Sequence, residues 1–473
     1  MTSVPSHLLL LSGNRYMFCI LLLTIMLSCA AKKDVVYQRP VQIVQGTTKP
    51  DDISKEAKAN PNISNSPVIT KVDTVQWTED NTKKPIVVKK ILSTQTSYTE
   101  NYKESYNIKI LIPLGANKTT DAEFEKSRFI HFYAGVLSAL EKLDDESIKF
   151  NITVIDTDTN TAKSTDRIDE ILNPGTDLII GPNDKDDIKI FAEKCKEKSI
   201  PLVSPWQTST KTTTENPFYI QMKPNLKEHY LRLVQAATRD FKVGEVVIVG
   251  RNNKETKSWI TYLEELAAVT SGKKNTKFFD THFISQDSTT FGIAIYAPIF
   301  KNPKIKAILL PQYSYNDEDY VYNCLRKLIA EKGTKNIVVY GMPLIYESER
   351  IEFDFYRSLN MRLVVSDFLD ENSEEIKFFR RKYLDIYGHI PTVDAIKGYD
   401  MMLYIGRNLW KYGKKFQFQL ENEPSTYLSS NYAIKKSMVE ENYEISDPNK
   451  FDYFENKHLD IIEFKESKFV VRR

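Results

Sequence analysis

The sequence is poor in the residue types that build disulfide frameworks, metal centres and phosphate-binding loops. Its 473 residues include 4 cysteines, 6 histidines and 16 glycines. Four cysteines are too few for a disulfide scaffold, and the histidines are not spaced as metal ligands. No glycine-rich phosphate loop follows a strand-like segment, and no Gly-x-Ser-x-Gly motif occurs. We therefore expect no cofactor, no metal and no enzymatic activity.

A net charge of one sign is also missing. Lys and Arg number 65 against 63 Asp and Glu, which leaves a formal charge of +2. Such a surface exerts no general attraction on polyanions, so nucleic acid is not an expected partner. Hydrophobic residues at 41% and charged residues at 27% are typical of a globular chain.

The amino-terminal segment carries a targeting signal. Residues 1–28 contain no Asp or Glu, and an apolar run from Met17 leads to Cys29. This run is too short to span a bilayer, which needs about 20 residues, and is typical of a signal peptide. The ending Met26-Leu27-Ser28-Cys29 resembles a bacterial lipobox, although Met26 replaces the usual leucine. The resemblance implies cleavage after residue 28 and lipidation of Cys29; an ordinary secretory cysteine is the alternative.

Lipidation predicts a location and a tether. We expect a protein anchored by lipid to a bacterial membrane, the outer membrane, with its body facing the periplasm. Residues 29–105 are polar, contain several prolines and have few apolar side chains. Such a segment cannot bury enough surface to offset chain entropy, so we expect a flexible tether. A small docking element in this segment is the alternative.

From residue 106 onward, strand-like apolar runs alternate with amphipathic helical stretches. The runs Ile108–Pro113 and Leu178–Gly181 belong to a first set of strands and helices, and the alternation restarts near residue 226. Alternating strands and helices predict an α/β fold with doubly wound parallel sheets in two lobes. Residues 451–471 contain short strand-like runs that we interpret as a small antiparallel appendage.

Three motifs carry a resemblance to a known family. They are Leu178–Pro182, which ends in Gly-Pro; Ile200–Pro205, which ends in Ser-Pro; and the pattern of aromatic, Gly and Pro residues between Phe379 and Asp400. Together they resemble the type I periplasmic solute-binding fold, especially its branched-chain amino-acid-binding group. The resemblance implies two lobes joined by crossover strands, with a ligand held between them.

The resemblance also implies lobe boundaries within a single bilobal domain at residues 106–473. We expect the first lobe at about residues 106–225 and 346–415, and the second lobe at about residues 226–345 and 416–473. Cys195 and Cys324 then remain in the folded part, where they either pair or stay as buried thiols.

The loops after the strands depart from the amino-acid-binding pattern. That group places small hydroxyl residues after the Gly-Pro strand, where they receive a ligand carboxylate, whereas Asn183 and acidic residues stand here. After the Ser-Pro turn, only the threonine of the pattern is kept, and we expect Trp206 either to stack on a ligand or to fill the cleft. The candidate ligand contacts are Asn117, Asn183, Thr208, Trp206, Tyr313 and Ser314.

Two functions are compatible with these features. The first is a non-catalytic, solute-binding-like protein that holds a small polar ligand, such as an amino acid or a peptide, between its lobes. The second is a ligand-free interaction module that regulates peptidoglycan synthesis or another envelope complex. It would resemble the outer-membrane lipoproteins of the same fold that activate cell-wall synthases. The expected partners are therefore a small polar ligand or an envelope protein, together with the membrane.

Overall fold

The computed structural model describes residues 102–115, 123–158, 164–273, 276–285, 294–438 and 450–472. The predicted signal peptide, the predicted lipidation site Cys29, most of the predicted tether and the candidate contact Asn117 lie outside these residues. Within the described ranges, no helix has both the length and the apolar character needed to cross a membrane.

The first lobe is built on a seven-stranded sheet. Its order is β13-β14-β5-β4-β3-β1-β2, and all neighbours are parallel except β13 and β14. Residues Ile110 and Leu111 of β1 point into two different hydrophobic cores, so helices cover both faces. The strands of the first sheet are β1 (Tyr106–Ile112), β2 (Phe150–Asp156), β3 (Leu178–Ile180), β4 (Leu202–Ser204), β5 (Tyr219–Gln221), β13 (Ile434–Ser437) and β14 (Tyr453–Asn456).

The second lobe repeats this plan. Its seven-stranded sheet has the order β16-β15-β10-β9-β8-β6-β7. Strands β7, β6, β8, β9 and β10 pair with one another in parallel. Strand β15 is antiparallel to both β10 and β16. The strands of the second sheet are β6 (Val246–Arg251), β7 (Asp280–Ile284), β8 (Ala307–Leu310), β9 (Val338–Gly341), β10 (Arg362–Val365), β15 (Asp460–Lys465) and β16 (Lys468–Val471); β11 (Ser425–Thr426) and β12 (Asn431–Tyr432) form a separate short pair.

Helices connect the strands, and several begin at a side-chain cap. The residues before five helices accept a hydrogen bond from a backbone N–H of the first turn: Asp184, Asn225, Asn253, Ser373 and Thr392. The helices are α1 (Glu123–Asp145), α2 (Ile168–Ile171), α3 (Lys185–Lys198), α4 (Leu226–Asp240), α5 (Lys254–Thr270), α6 (Ala297–Phe300), α7 (Glu318–Lys332), α8 (Pro343–Glu347), α9 (Phe353–Ser358), α10 (Glu374–Tyr387) and α11 (Val393–Tyr412).

Two glycines allow α1 and α11 to pack in close contact. A Cβ atom on Gly135 would lie 1.8 Å from the carbonyl oxygen of Ala395, and one on Gly398 would lie 2.1 Å from that of Phe132. No side chain fits at such distances, so the glycine is required at both positions. Gly398 belongs to the family-like motif, which therefore serves helix packing.

Three crossovers join the lobes, at residues 222–225, 366–373 and 457–459. The fully buried Glu455 fixes the first crossover to the third. Its carboxylate accepts hydrogen bonds from the backbone N–H of Asn225 at 2.6 Å and from the ammonium of Lys457 at 2.7 Å. The hydroxyl of Ser437 donates to the same carboxylate at 2.8 Å.

The predicted two-lobed α/β architecture is confirmed, but the segments are distributed differently from our expectation. Strand β10 lies within residues 346–415, which we assigned to the first lobe, yet it pairs in the second sheet. Strands β13 and β14 follow residue 416 but pair in the first sheet. The terminal strands complete the two main sheets, so the prediction of a separate appendage was wrong. Cys195 and Cys324 are buried free thiols.

Candidate binding cleft between the lobes

Two loops meet at the carboxyl end of the first sheet. The side-chain amide of Gln207, after β4, donates to the carbonyl oxygen of Asn183, after β3, at 2.6 Å. The next residue, Thr208, is exposed, and its hydroxyl has no protein partner among the described residues. The structure therefore brings Asn183 and Thr208 to one edge of the first lobe, as the strand-end pattern predicted.

Trp206 forms part of the wall of this lobe. Its ring packs on Phe129 and Phe132 of α1, with centroid distances of 5.3 Å and 5.0 Å. The indole is half-buried, so only part of it remains available for stacking on a ligand.

Aromatic residues line the carboxyl end of the second sheet. Tyr313 follows β8; its hydroxyl donates to Glu255 at 3.1 Å and its ring meets the edge of Trp259. Ser314 caps the next turn, because its hydroxyl accepts a hydrogen bond from the N–H of Asn316 at 3.3 Å. Tyr313 therefore presents a ring surface in the second lobe, whereas the Ser314 hydroxyl is already engaged.

The two walls face each other. The hydroxyl of Tyr315 in the second lobe donates to Glu347. Burial and this bond raise the pKa of Tyr315, and the positive charge of Arg128 in the first lobe opposes the rise. Arg128 of the first lobe therefore lies near enough to Tyr315 of the second lobe to act on its hydroxyl electrostatically.

An ion pair lies where this space meets the crossovers. The ammonium of Lys397, in α11, is 3.2 Å from the carboxylate of Asp367, in the second crossover. Asp367 also accepts hydrogen bonds from the hydroxyls of Ser366 and Ser430. Burial raises the pKa of Asp367, but Lys397 and Lys223 outweigh it and hold that pKa below its ordinary value.

Lys223, in the first crossover, adds a second cation beside this pair. Its ammonium has no hydrogen-bond or ion-pair partner among the described residues. Repulsion from Lys397 and burial both lower the pKa of Lys223, while Asp367 and Glu347 oppose the shift. Burial likewise lowers the pKa of the neighbouring His229, whose Nδ1 lies 2.8 Å from the carbonyl oxygen of Asn225. Asp394 also acts on both lysines, so two ammonium groups and three carboxylates share this region, and of the two ammonium groups that of Lys223 is the one without a close partner among the described residues.

A buried amide lies after β8 in the second lobe. Gln312 is only 6% exposed, and neither its side-chain nitrogen nor its oxygen has a hydrogen-bond partner among the residues that the structure describes. An unpaired buried amide is costly unless a ligand or a water satisfies it.

Sequence reasoning missed Lys223, Gln312, Asp367 and Lys397. Lys223 and Gln312 each follow a short buried strand, and that position is a signal that could have been used. The pairing of Lys397 with Asp367 joins segments that no local motif connects. In the part of the chain that the structure describes, no group of three or more His, Cys, Asp or Glu could hold a metal ion.

Comparison with known proteins agrees with this architecture. A model of the receptor family ligand binding region matches residues 136–290. A Rhodospirillum rubrum structure named as a branched-chain amino acid ABC transporter has a TM-score of 0.55 at 14% identity, covering 78% of this chain and 100% of that one. The chain has the type I periplasmic binding protein fold.

A second structure with the type I periplasmic binding protein fold gives the same result. It is a branched chain amino acid ABC transporter periplasmic ligand-binding protein from Burkholderia xenovorans LB400, with a TM-score of 0.52 at 11% identity. The match covers 78% of this chain and 94% of that one. No curated protein sequence matches the chain. At these identities the likeness establishes the fold, and the residues of the cleft must be argued individually.

Proposed function

We propose that this protein is a non-catalytic, periplasmic solute-binding protein that holds a small polar ligand with an anionic group between its lobes. The observation that carries the proposal is the unpaired ammonium of Lys223 beside the Lys397–Asp367 pair. A half-buried cation next to a second cation is unfavourable in the empty protein. A carboxylate or similar anion would remove that cost, so binding would be strongest where the lobes meet.

Contacts from both lobes complete the proposed site. Gln312 offers an unsatisfied donor and acceptor, Thr208 a free hydroxyl, and Tyr313 and Trp206 ring surfaces. Asn183 and Ser314 contribute through their position in the strand-end loops. A ligand that touches both walls would favour the closed arrangement, because the crossovers act as a hinge.

The test is thermal unfolding of the full-length mature protein with pools of amino acids, dicarboxylates, short peptides and muropeptides. A ligand present at 100 times its dissociation constant should stabilise the protein by about 2.7 kcal/mol. Lys223→Met should abolish the shift, whereas Lys382→Met, at an exposed ion pair away from the cleft, should retain it. If no pool shifts the transition, or if Lys223→Met responds like the wild type, the proposal is wrong.

We also propose that Cys29 carries a lipid that anchors the protein to the outer membrane. The support is the lipobox-like ending of the apolar segment. Cys29→Ser should move the protein from the membrane fraction to the soluble periplasmic fraction. Density separation of inner and outer membranes tests the choice of membrane, and persistent anchoring of Cys29→Ser would exclude the lipid.

A ligand-free interaction module is the second candidate. It is favoured by the packing of Trp206 against its own lobe, which leaves less ring surface for a solute. This candidate predicts no thermal shift with any pool and direct binding to a purified envelope protein, such as a peptidoglycan synthase.

A further inference from the structure

A second space between the lobes lies away from the proposed cleft. It is a groove of about 1090 Å³. Its walls come from α1, α10 and α11 of the first lobe, from residues 426–431, and from β16 of the second lobe. The residues used below are Asp145, Asp370, Glu375, Phe378, Phe469 and Val471.

The groove and the cleft lie on opposite sides of the second crossover. Asp367 faces Lys397 in the cleft, whereas the next residue, Phe368, lines the groove. Successive side chains of an extended segment point in opposite directions. On α11, Lys397 faces the cleft and Tyr399 lines the groove; two positions along a helix correspond to a rotation of about 200°. The groove is therefore a separate surface.

One wall of the groove is an edge strand. β16 is the outermost strand of the second sheet and pairs only with β15 among the described strands. The N–H of Arg472 donates to the carbonyl oxygen of Ile461, which makes these two residues a hydrogen-bonded pair. Because such pairs alternate along an antiparallel ladder, the backbone N–H and C=O groups of Phe469 and Val471 point away from β15. They are available to another strand.

The groove also has apolar and acidic character. Phe378 is 69% exposed and Val471 is 39% exposed. Asp145, Asp370 and Glu375 have no ion-pair partner among the described residues. By contrast, Lys142 and Lys382, which also line the groove, are paired with Glu146 and Glu141. Lys468 of β16 also lines the groove without an ion-pair partner among the described residues, so three unpaired carboxylates stand against one ammonium and the uncompensated charge is negative.

We propose that this groove binds an extended segment of another protein, which adds to β16 as a further strand. Hydrogen bonds to the backbone of Phe469 and Val471 would supply affinity. Alternating apolar side chains of the segment would contact Phe378 and Val471, and Lys or Arg side chains would face Asp145, Asp370 and Glu375. The partner is thus a protein with an exposed basic, apolar β-segment, docked outside the solute cleft.

The experiment measures binding of a fluorescein-labelled peptide of alternating lysine and valine, about seven residues long, to the full-length mature protein by anisotropy. Val471→Pro removes the outward N–H without removing a ladder bond, and we expect it to weaken binding about tenfold or more. Val471→Thr keeps the N–H and should bind within about threefold of the wild type. Phe378→Ser should weaken binding, whereas Val269→Ser, at a valine that is 72% exposed elsewhere, should not.

Two control peptides test whether binding depends on backbone hydrogen bonds and on positive charge. A peptide N-methylated at alternate residues and a glutamate–valine peptide should both bind at least about tenfold more weakly than the lysine–valine peptide. Circular dichroism verifies that each variant is folded. If Val471→Pro is not folded, the Phe378→Ser variant and the N-methylated peptide test the proposal in its place. Absence of binding, equal binding of the N-methylated peptide, or displacement of the peptide by oleate would overturn the proposal.

Discussion

The ammonium of Lys397 lies 3.2 Å from the carboxylate of Asp367, and this ion pair joins α11 of the first lobe to the second crossover. The two side chains are 23% and 21% exposed, so water screens them only partly. Asp367 also attracts Lys223, which means that one carboxylate partly neutralises two ammonium groups.

We expect Lys397→Met to destabilise the protein. The change leaves Asp367 without its ion-pair partner, so the free energy of unfolding should fall by about 1–3 kcal/mol at pH 7 in urea denaturation. The lowered pKa of Asp367 contributes stability above an unfolded value of about 3.9, and that contribution is lost as the pH falls through the folded pKa. Lys382→Met, at a pair with 37% and 50% exposure, should cost less than about 1 kcal/mol. Equal effects would contradict a special role for the Lys397–Asp367 pair.

Lys223→Met should have the opposite effect on the ligand-free protein. The pKa of Lys223 is lowered, so its charge opposes folding at every pH below about 10. Replacing it with an apolar side chain of similar length should therefore raise the melting temperature, by a few degrees if the gain is about 1 kcal/mol. Calorimetry without ligand measures this directly. A lower melting temperature would show that Lys223 stabilises the fold.

The buried carboxyl group of Asp400, in α11 of the first lobe, should make the free energy of unfolding depend on pH. Burial raises its pKa to about 6, although the N–H groups of Leu428, Ser429 and Ser430 act against the rise. Because the folded value exceeds the unfolded value of about 3.9, stability is highest below pH 4 and declines as the pH rises to 6. Asp400→Asn cannot titrate, so the stability of the wild type relative to this variant should fall by about 2–3 kcal/mol between pH 4 and pH 7.

Urea denaturation of the wild type and of Asp400→Asn across this pH range measures the difference in their free energies of unfolding. Other titrating groups contribute equally to the two proteins, so their effects cancel in the difference. A difference that does not change with pH would mean that Asp400 titrates at its ordinary value.

Glu455→Gln should weaken the connection between the first and third crossovers. The groups around the carboxylate, including Asn225, Ser437 and Lys457, all donate hydrogen bonds to it. A glutamine would place an NH₂ group against some of these donors, and we expect a loss of about 2–4 kcal/mol in the free energy of unfolding. Glu141→Gln, at an exposed ion pair, serves as the matched control and should cost less than about 1 kcal/mol. A loss no larger than that of the control would show that the buried network is dispensable.

The sequence was sufficient to predict the main elements of the fold. The strand-like run at residues 178–181 coincides with β3 (Leu178–Ile180) apart from its last residue, because a short apolar run that ends in Gly-Pro is a local feature. The terminal strands were assigned to an appendage, since nothing near them in the sequence shows that β14 pairs with β5, more than 200 residues earlier. The return of the chain to each lobe depends on such non-local pairings.

The site was predicted less completely than the fold. Strand-end reasoning selected Asn183, Trp206 and Tyr313 as candidates because each lies within three residues of the end of a recognisable buried strand. It could not assign their surroundings: Trp206 packs on α1, and Tyr313 bonds to Glu255 of α5. Sequence reasoning did not select Lys223 and Lys397 as site residues because isolated lysines usually lie in solvent. Only the tertiary structure places Lys223 beside Lys397.

Asp367 and Phe368 are consecutive residues whose side chains point into two different spaces, the cleft and the groove. A change in hinge angle that narrows the cleft in front of Asp367 must also alter the groove behind Phe368. Solute and partner segment would therefore influence each other's affinity by the same factor, as thermodynamic reciprocity requires. With such an arrangement, a neighbour that never touches the solute would still respond to whether the solute is bound.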